Sequence, residues 1–360
     1  NRCNAGRSER LMTEFYDGRH SPLKEYDLTA DYDYGEPLRA QPCTEDLTQE
    51  GRFSVSELIE RIDESESNSR RFLSHIDNEY TALLWIFSTI LESRPAAGVL
   101  FSLTIEDWEV SLREDLEGYS YDLEEQCIYI GTDGQPAANI KTSLYLRNSV
   151  LLDAIQGLRD IWHDTYTSSY AKSLRLEELL KWERLRRADT TVFTLSCARD
   201  LSHSDDHQHL WNHILSHGEG DVALSFETCE HTHLGNPDFE EKCLALAFIE
   251  WFSDASRVTE SDKFALDEMD AILKSDTDMD LRNERITANL ISTAFTLSEH
   301  GQYLENLSQE LAINPDYSRI HDDICMMHFM QIADEMETAS VEAIPFRDQE
   351  LARKIFPDSF

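Results

Sequence analysis

Basic residues are scarce. The chain carries 32 Lys and Arg against 70 Asp and Glu, a formal net charge of -38. Such a field repels nucleic-acid phosphates and anionic headgroups, which excludes binding nucleic acid or a membrane through a basic face. Long apolar runs are missing as well. None reaches the ~18 residues of a membrane span, and the longest, Ala82 to Ile86 with its flanks and Cys243 to Phe252, read as core helices. The seven cysteines include no C-x-x-C pair and lie far apart. That excludes a disulfide scaffold and favours free thiols in a reducing compartment. No signal peptide is visible, so a cytoplasmic protein is expected. The start at Asn1 instead of Met leaves processing or truncation open.

Familiar catalytic signatures are absent too. The chain has no H-E-x-x-H, no G-x-S-x-G elbow, no G-x-x-x-x-G-K phosphate loop and no G-x-G-x-x-G. No repeat of fixed period appears, which argues against a solenoid. Asp276 to Asp280 (DTDMD) lacks the central glycine and closing glutamate of a calcium loop and reads as solvated linker.

What remains is 360 residues, 41% of them apolar, enough for a substantial core. The acidity has three readings: solubility, a basic protein partner, or mimicry of DNA. Residues 1–50, with Pro22, Pro37 and Pro42 and no sustained period, read as an extended or partly disordered arm. Ser54 and Glu57 have capping-box spacing ahead of a helix. A second helical pattern runs from Phe72 to Leu91 and is closed by Pro95.

Gly118 to Gly131 alternates aromatic and β-branched residues around an acidic turn, as a hairpin does, and Leu103 to Leu112 offers another strand. From Thr142 to Asp164 the apolar residues Leu144, Val150, Leu151, Ala154, Ile155, Leu158, Ile161 and Trp162 recur at helical intervals. Further helices are predicted over Ser173–Leu201, Gln208–Ser216, Glu240–Phe252, Ser261–Leu273, Arg282–Leu307 and Arg319–Glu337. The fold class is therefore mainly α with a small antiparallel β-hairpin or sheet. The domains read as the arm, a body over 51–275, and a C-terminal helical extension over 276–360.

The hairpin and the helix after it resemble a bacterial zinc-metallopeptidase family of unknown function, over roughly residues 75–275. In that family a strand pair leads to a helix reading H-E-L-R-H-x-W, and a later helix carries E-A-D. Here the first stretch reads Gln156-Gly157-Leu158-Arg159-Asp160-Ile161-Trp162 and the second Arg187-Ala188-Asp189. Leu158, Arg159, Trp162, Ala188 and Asp189 keep the frame, and the resemblance implies a zincin-like core. The chemistry departs from it. Gln156 replaces an imidazole ligand, Gly157 removes the general base, and Arg187 puts a cation where the third ligand would sit. Asp160 and Arg187 are expected to face each other as a charge-assisted pair filling the degenerate site.

His209, His213 and His217 stand four apart (HLWNHILSH) and share a face if that stretch is helical; Cys229, His231 and His233 follow in an expected loop. Zinc or another transition metal there is the alternative to having no cofactor. His163 is expected to end its helix, and Cys325 to Met330 to be core packing. Three functions follow: a catalytically inactive metallopeptidase-like protein acting by protein binding, a metal-dependent hydrolase using the histidines, or an acidic structural or inhibitory protein.

Overall fold

The computed structural model describes residues 51–65, 69–103, 108–233, 239–275, 284–297 and 301–343. The predicted arm and the stretch from Asp276 to Asp280 lie outside them. Among the described residues the protein is mainly helical with one small sheet, as the periodicities imply.

The sheet has the order β1-β2-β4-β3, with β1 Phe53–Ser54, β2 Glu109–Arg113, β3 Tyr119–Asp122 and β4 Cys127–Gly131. β3 and β4 form the predicted hairpin, antiparallel, with Tyr119 opposite Ile130 and Tyr121 opposite Ile128. β2 runs parallel to β4, so the sheet is mixed and not purely antiparallel. The reason lies in β4, CIYIG, where all five residues are buried. A strand covered on both faces reads as an unbroken apolar run and suits the centre of a sheet. At its end a Cβ on Gly131 would stand 2.2 Å from the Leu116 carbonyl oxygen, so only glycine allows the loop to close there.

The helices begin with α1 Val55–Ser65, whose Glu57 amide donates to Ser54 Oγ at 3.4 Å, and α2 Ser69–Ser74. α3 Glu79–Glu92 starts at an Asn78–Thr81 capping box and buries every residue from Ala82 to Ile90. A helix apolar on all sides belongs in the interior. Pro95 opens α4 Arg94–Ser102 after a bend of 108°; no single described helix is long and apolar enough to cross a membrane.

The central pair is α5 Leu144–Ser173, capped by Ser143 Oγ on the Leu146 amide, and α6 Leu176–Ser202. α5 packs against both hairpin strands and α6. It runs nine residues past the predicted end, so His163 is a mid-helix residue and not a terminal one. α7 Gln208–Leu215, α8 Gly220–His233, α9 Phe239–Trp251 and α10 Ala255–Ser275 follow. Cys229 and His231 lie in α8, not in a loop, because Val222, Ala223, Phe226 and Cys229 supply a buried helical stripe.

The last third differs from its reading as an unbroken helix over Arg282–Leu307. Thr287 caps the short α11 Ala288–Ala294, and a bridge from Leu297 to Gly301 precedes α12 Ser308–Ile313. α13 Asp323–Ala343 begins where Asp322 Oδ1 accepts the Ile324 and Cys325 amides. After residue 275, Ile286, Ile291, Phe295, Leu304 and Leu311 join the cluster that holds Trp85 and Ile155, while Cys325 and Ile332 belong to a second cluster with Leu180 and Leu266. Three buried cations of the central pair fix this segment by its backbone. Arg159 donates to the Thr296 carbonyl, Lys181 to that of Ala312 and Arg184 to that of Tyr317, at 2.8 to 2.9 Å. Arg184 also makes a two-point pair with Asp262 of α10.

Candidate functional site

Residues spaced three and four apart on a helix share a face. Asp153, Gly157, Asp160 and Asp164 are so spaced along α5, and β3 lies beside them. Residues two apart on a strand point the same way, so Tyr119 and Tyr121 reach the helix at matching steps. Tyr119 donates to Asp160 at 2.5 Å, and Tyr121 donates to Asp164 at 2.5 Å.

Gly157 makes the first contact feasible. A Cβ there would come within 3.2 Å of Tyr119 Cδ2, so its absence lets the ring lie across the helix. Thr190 of α6 donates to the other oxygen of Asp160 at 2.7 Å. Burial opposes ionisation of Asp160, but the cations Arg187 and Arg186 and the donors Tyr119 and Thr190 outweigh it and hold the carboxyl below its ordinary range. Gln156 is half-buried beside this face.

The expected Asp160–Arg187 bridge is replaced by a different pairing. Arg187 donates to Glu183 at 2.8 Å, one helical turn away, and lies 4.3 Å from the Phe264 ring centroid. It acts on Asp160 only through its field. Arg186 joins Asp164 at 3.0 Å and Glu183 at 3.3 Å. Glu268 of α10 stands at the exposed rim, where surrounding protein and then the charge of Glu183 push its carboxyl up to about 7. Asp153, further along α5, is buried and meets no hydrogen-bond donor among the described residues. Burial, then Glu219 and Glu117, raise it well above the usual carboxylate range.

A second buried network centres on Asp189. It accepts from Arg159 Nε at 2.7 Å and Tyr303 at 2.7 Å and pairs with His163 Nε2 at 2.8 Å. Arg159 is also 4.3 Å from the Trp162 ring centroid. His163 is fully buried, and its Nδ1 has no hydrogen-bond partner among the described residues. Burial lowers its affinity for a proton. Arg159, Trp162 and Asp189 therefore contact one another across the two central helices.

The donor set does not fit a divalent ion at Gln156, Gly157, Asp160 and Arg187. Both oxygens of the lone carboxylate are engaged by hydroxyls, and two guanidinium groups stand nearby. The histidines are brought together, but differently from a chelating trio. His213 and His217 stack face to face, centroids 4.0 Å apart and planes at 28°, with Tyr145 of α5 5.4 Å from His213. His209 is exposed on the preceding turn. No group of three or more metal-ligating side chains converges among the described residues. Burial and then His217 push the His213 imidazole down to about 4. With Leu144 and Asn148 these rings line an open depression of about 320 Å³.

Cys325 is buried as expected, but Met327 and Met330 are each 64% exposed, since α13 turns Cys325 and Ile332 toward α10 and leaves the methionines outside. The cysteines among the described residues are buried and free. Tyr119, Tyr121, Asp164, Glu268 and Asn148 escaped the sequence reading. The signal for the first three was present as Y-x-Y on a strand and D-x-x-x-D on the helix after it. Compared with known proteins, the chain matches no family, no curated protein and no solved structure.

Proposed function

We propose that this protein acts by binding and not by metal-dependent hydrolysis, as a metallopeptidase-like frame whose reaction centre has been filled from within. The observation that carries this reading is Tyr119 lying over Gly157 and donating to Asp160, in the position where a metal and its water would need room. The excess of 70 acids over 32 bases supports a basic protein as the partner. Buried free thiols support a reducing compartment such as the cytoplasm.

The test is metal content and peptide hydrolysis of protein purified without chelator, alongside an Asp160→Asn variant. Zinc well below one equivalent, with no hydrolysis of a mixed peptide library by either form, is expected. Stoichiometric zinc that Asp160→Asn abolishes would overturn the reading.

A further inference from the structure

The depression between the start of α5 and α7 has a composition unlike the rest of the molecule. None of its eight lining residues is Asp or Glu, although these make up 70 of 360 residues overall. Three of the eight are histidines and two are asparagines. α5 is 30 residues long and has no acid in its first turn. The amides of Leu144 and Tyr145 precede the first that an intrahelical carbonyl can reach, and the Ser143 cap is taken by Leu146, so neither meets an acceptor among the described residues.

Asn148 is the second, independent sign. It is only 7% exposed, lines the depression, and makes no hydrogen bond to any described residue. Buried amides in folded proteins are almost always satisfied. The Asn148 amide is not among the enclosed unpaired atoms, so it opens onto the depression, where an outside group can bond it. Asn212 adds a further amide at the rim, and Tyr145 with the stacked His213 and His217 supplies a ring-lined wall. The acid nearest the site by its effect is Glu219, which acts on His217 without lining the depression.

We propose that this depression binds a small molecule carrying an oxyanion, a phosphate or carboxylate group, on a planar ring. The oxyanion takes the helix N-terminal amides and the Asn148 amide, and the ring lies against Tyr145 and the imidazoles. The net negative charge of the chain does not prevent this, because exposed charges are screened beyond roughly 8 Å at physiological salt. The inference does not depend on the binding role proposed above.

Calorimetric titration of the full chain with phenyl phosphate, benzoate and phenol tests it. Saturable binding of phenyl phosphate or benzoate, but not phenol, is expected, and which anion binds identifies the headgroup. Asn212→Asp places a carboxylate at the rim and is expected to weaken binding at least about tenfold, or 1.4 kcal/mol. Asn148→Leu should do the same; Asn212 is exposed, so its variant carries the test if the buried one unfolds. Equal binding of phenol, no saturation by either anion, or affinity unchanged in Asn212→Asp would each overturn the proposal.

Discussion

Tyr121 Oη stands 2.5 Å from Asp164 Oδ2, the same separation that Tyr119 Oη keeps from Asp160 Oδ2. Two residues of strand advance about 6.6 Å and four residues of helix about 6 Å, so the two elements can repeat one contact along their length. The pairing fixes how the hairpin lies on α5, and each bond in it has a measurable share.

Tyr119→Phe leaves the ring in place and removes the donor to a buried carboxylate. A loss of about 1–3 kcal/mol is expected in urea unfolding at pH 7, because hydrogen bonds to charged groups are the stronger kind. Asp160 has its folded pKa held below the unfolded one, so its stabilisation is present at neutral pH and fades as pH falls through the folded value. In Tyr119→Phe that acid-side decline should be smaller. An unchanged unfolding midpoint would show that the phenol is idle.

Gly157→Ala sets helix propensity against space. Alanine favours a helix by about 1 kcal/mol over glycine, yet its Cβ would meet the Tyr119 ring at 3.2 Å. The ring is tethered through its hydroxyl and cannot yield freely. We expect Gly157→Ala to destabilise the wild-type protein by about 1 kcal/mol and to stabilise a Tyr119→Ala background by a similar amount, read from a double-mutant cycle.

Asp189→Asn strikes the other network. It removes the counter-charge of Arg159, which is 1% exposed, and unsettles His163 and Tyr303. Breaking a buried pair from one side costs about 3–5 kcal/mol. A change of less than about 1 kcal/mol in the unfolding free energy would mean that the network tolerates the loss.

Glu268 gives an effect of opposite sign to Asp160. Its carboxyl titrates near 7 in the folded chain against 4.5 ordinarily, so the folded state holds the extra proton in that window. Stability from this group therefore falls as pH rises from about 4.5 to 7. Glu268→Gln should flatten that part of the profile, measured as urea midpoints at pH 5, 6 and 7. A parallel shift at all three would refute the assignment.

Much of the architecture was legible in the sequence wherever one period ran unbroken. The hairpin, α5, α6 and α9 are readable because their apolar residues fall at a single spacing, and Pro95 marks a boundary by known chemistry. The parallel pairing of β2 with β4 was not readable, since it depends on which strand finds a buried neighbour. The break after Ala294 was hidden for a similar reason: it depends partly on Arg159, which lies 137 positions from the carbonyl it binds. At the candidate site Gln156, Gly157 and Asp160 were readable as neighbours on one helix. Tyr119 and Tyr121, which cover that face, come from the hairpin, and a register between strand and helix leaves no local mark.

The carbonyls of Thr296, Ala312 and Tyr317 have a last consequence. They are held by Arg159, Lys181 and Arg184, each about 1% exposed. Because these three contacts are to main chain, they do not themselves depend on which side chains stand at positions 296, 312 and 317. Cutting the polypeptide before residue 284 would instead remove all three acceptors, leaving Arg159 and Arg184 only their carboxylates Asp189 and Asp262 and Lys181 no hydrogen-bond partner among the described residues. The first 283 residues are therefore not a module that can be excised and expected to hold its shape.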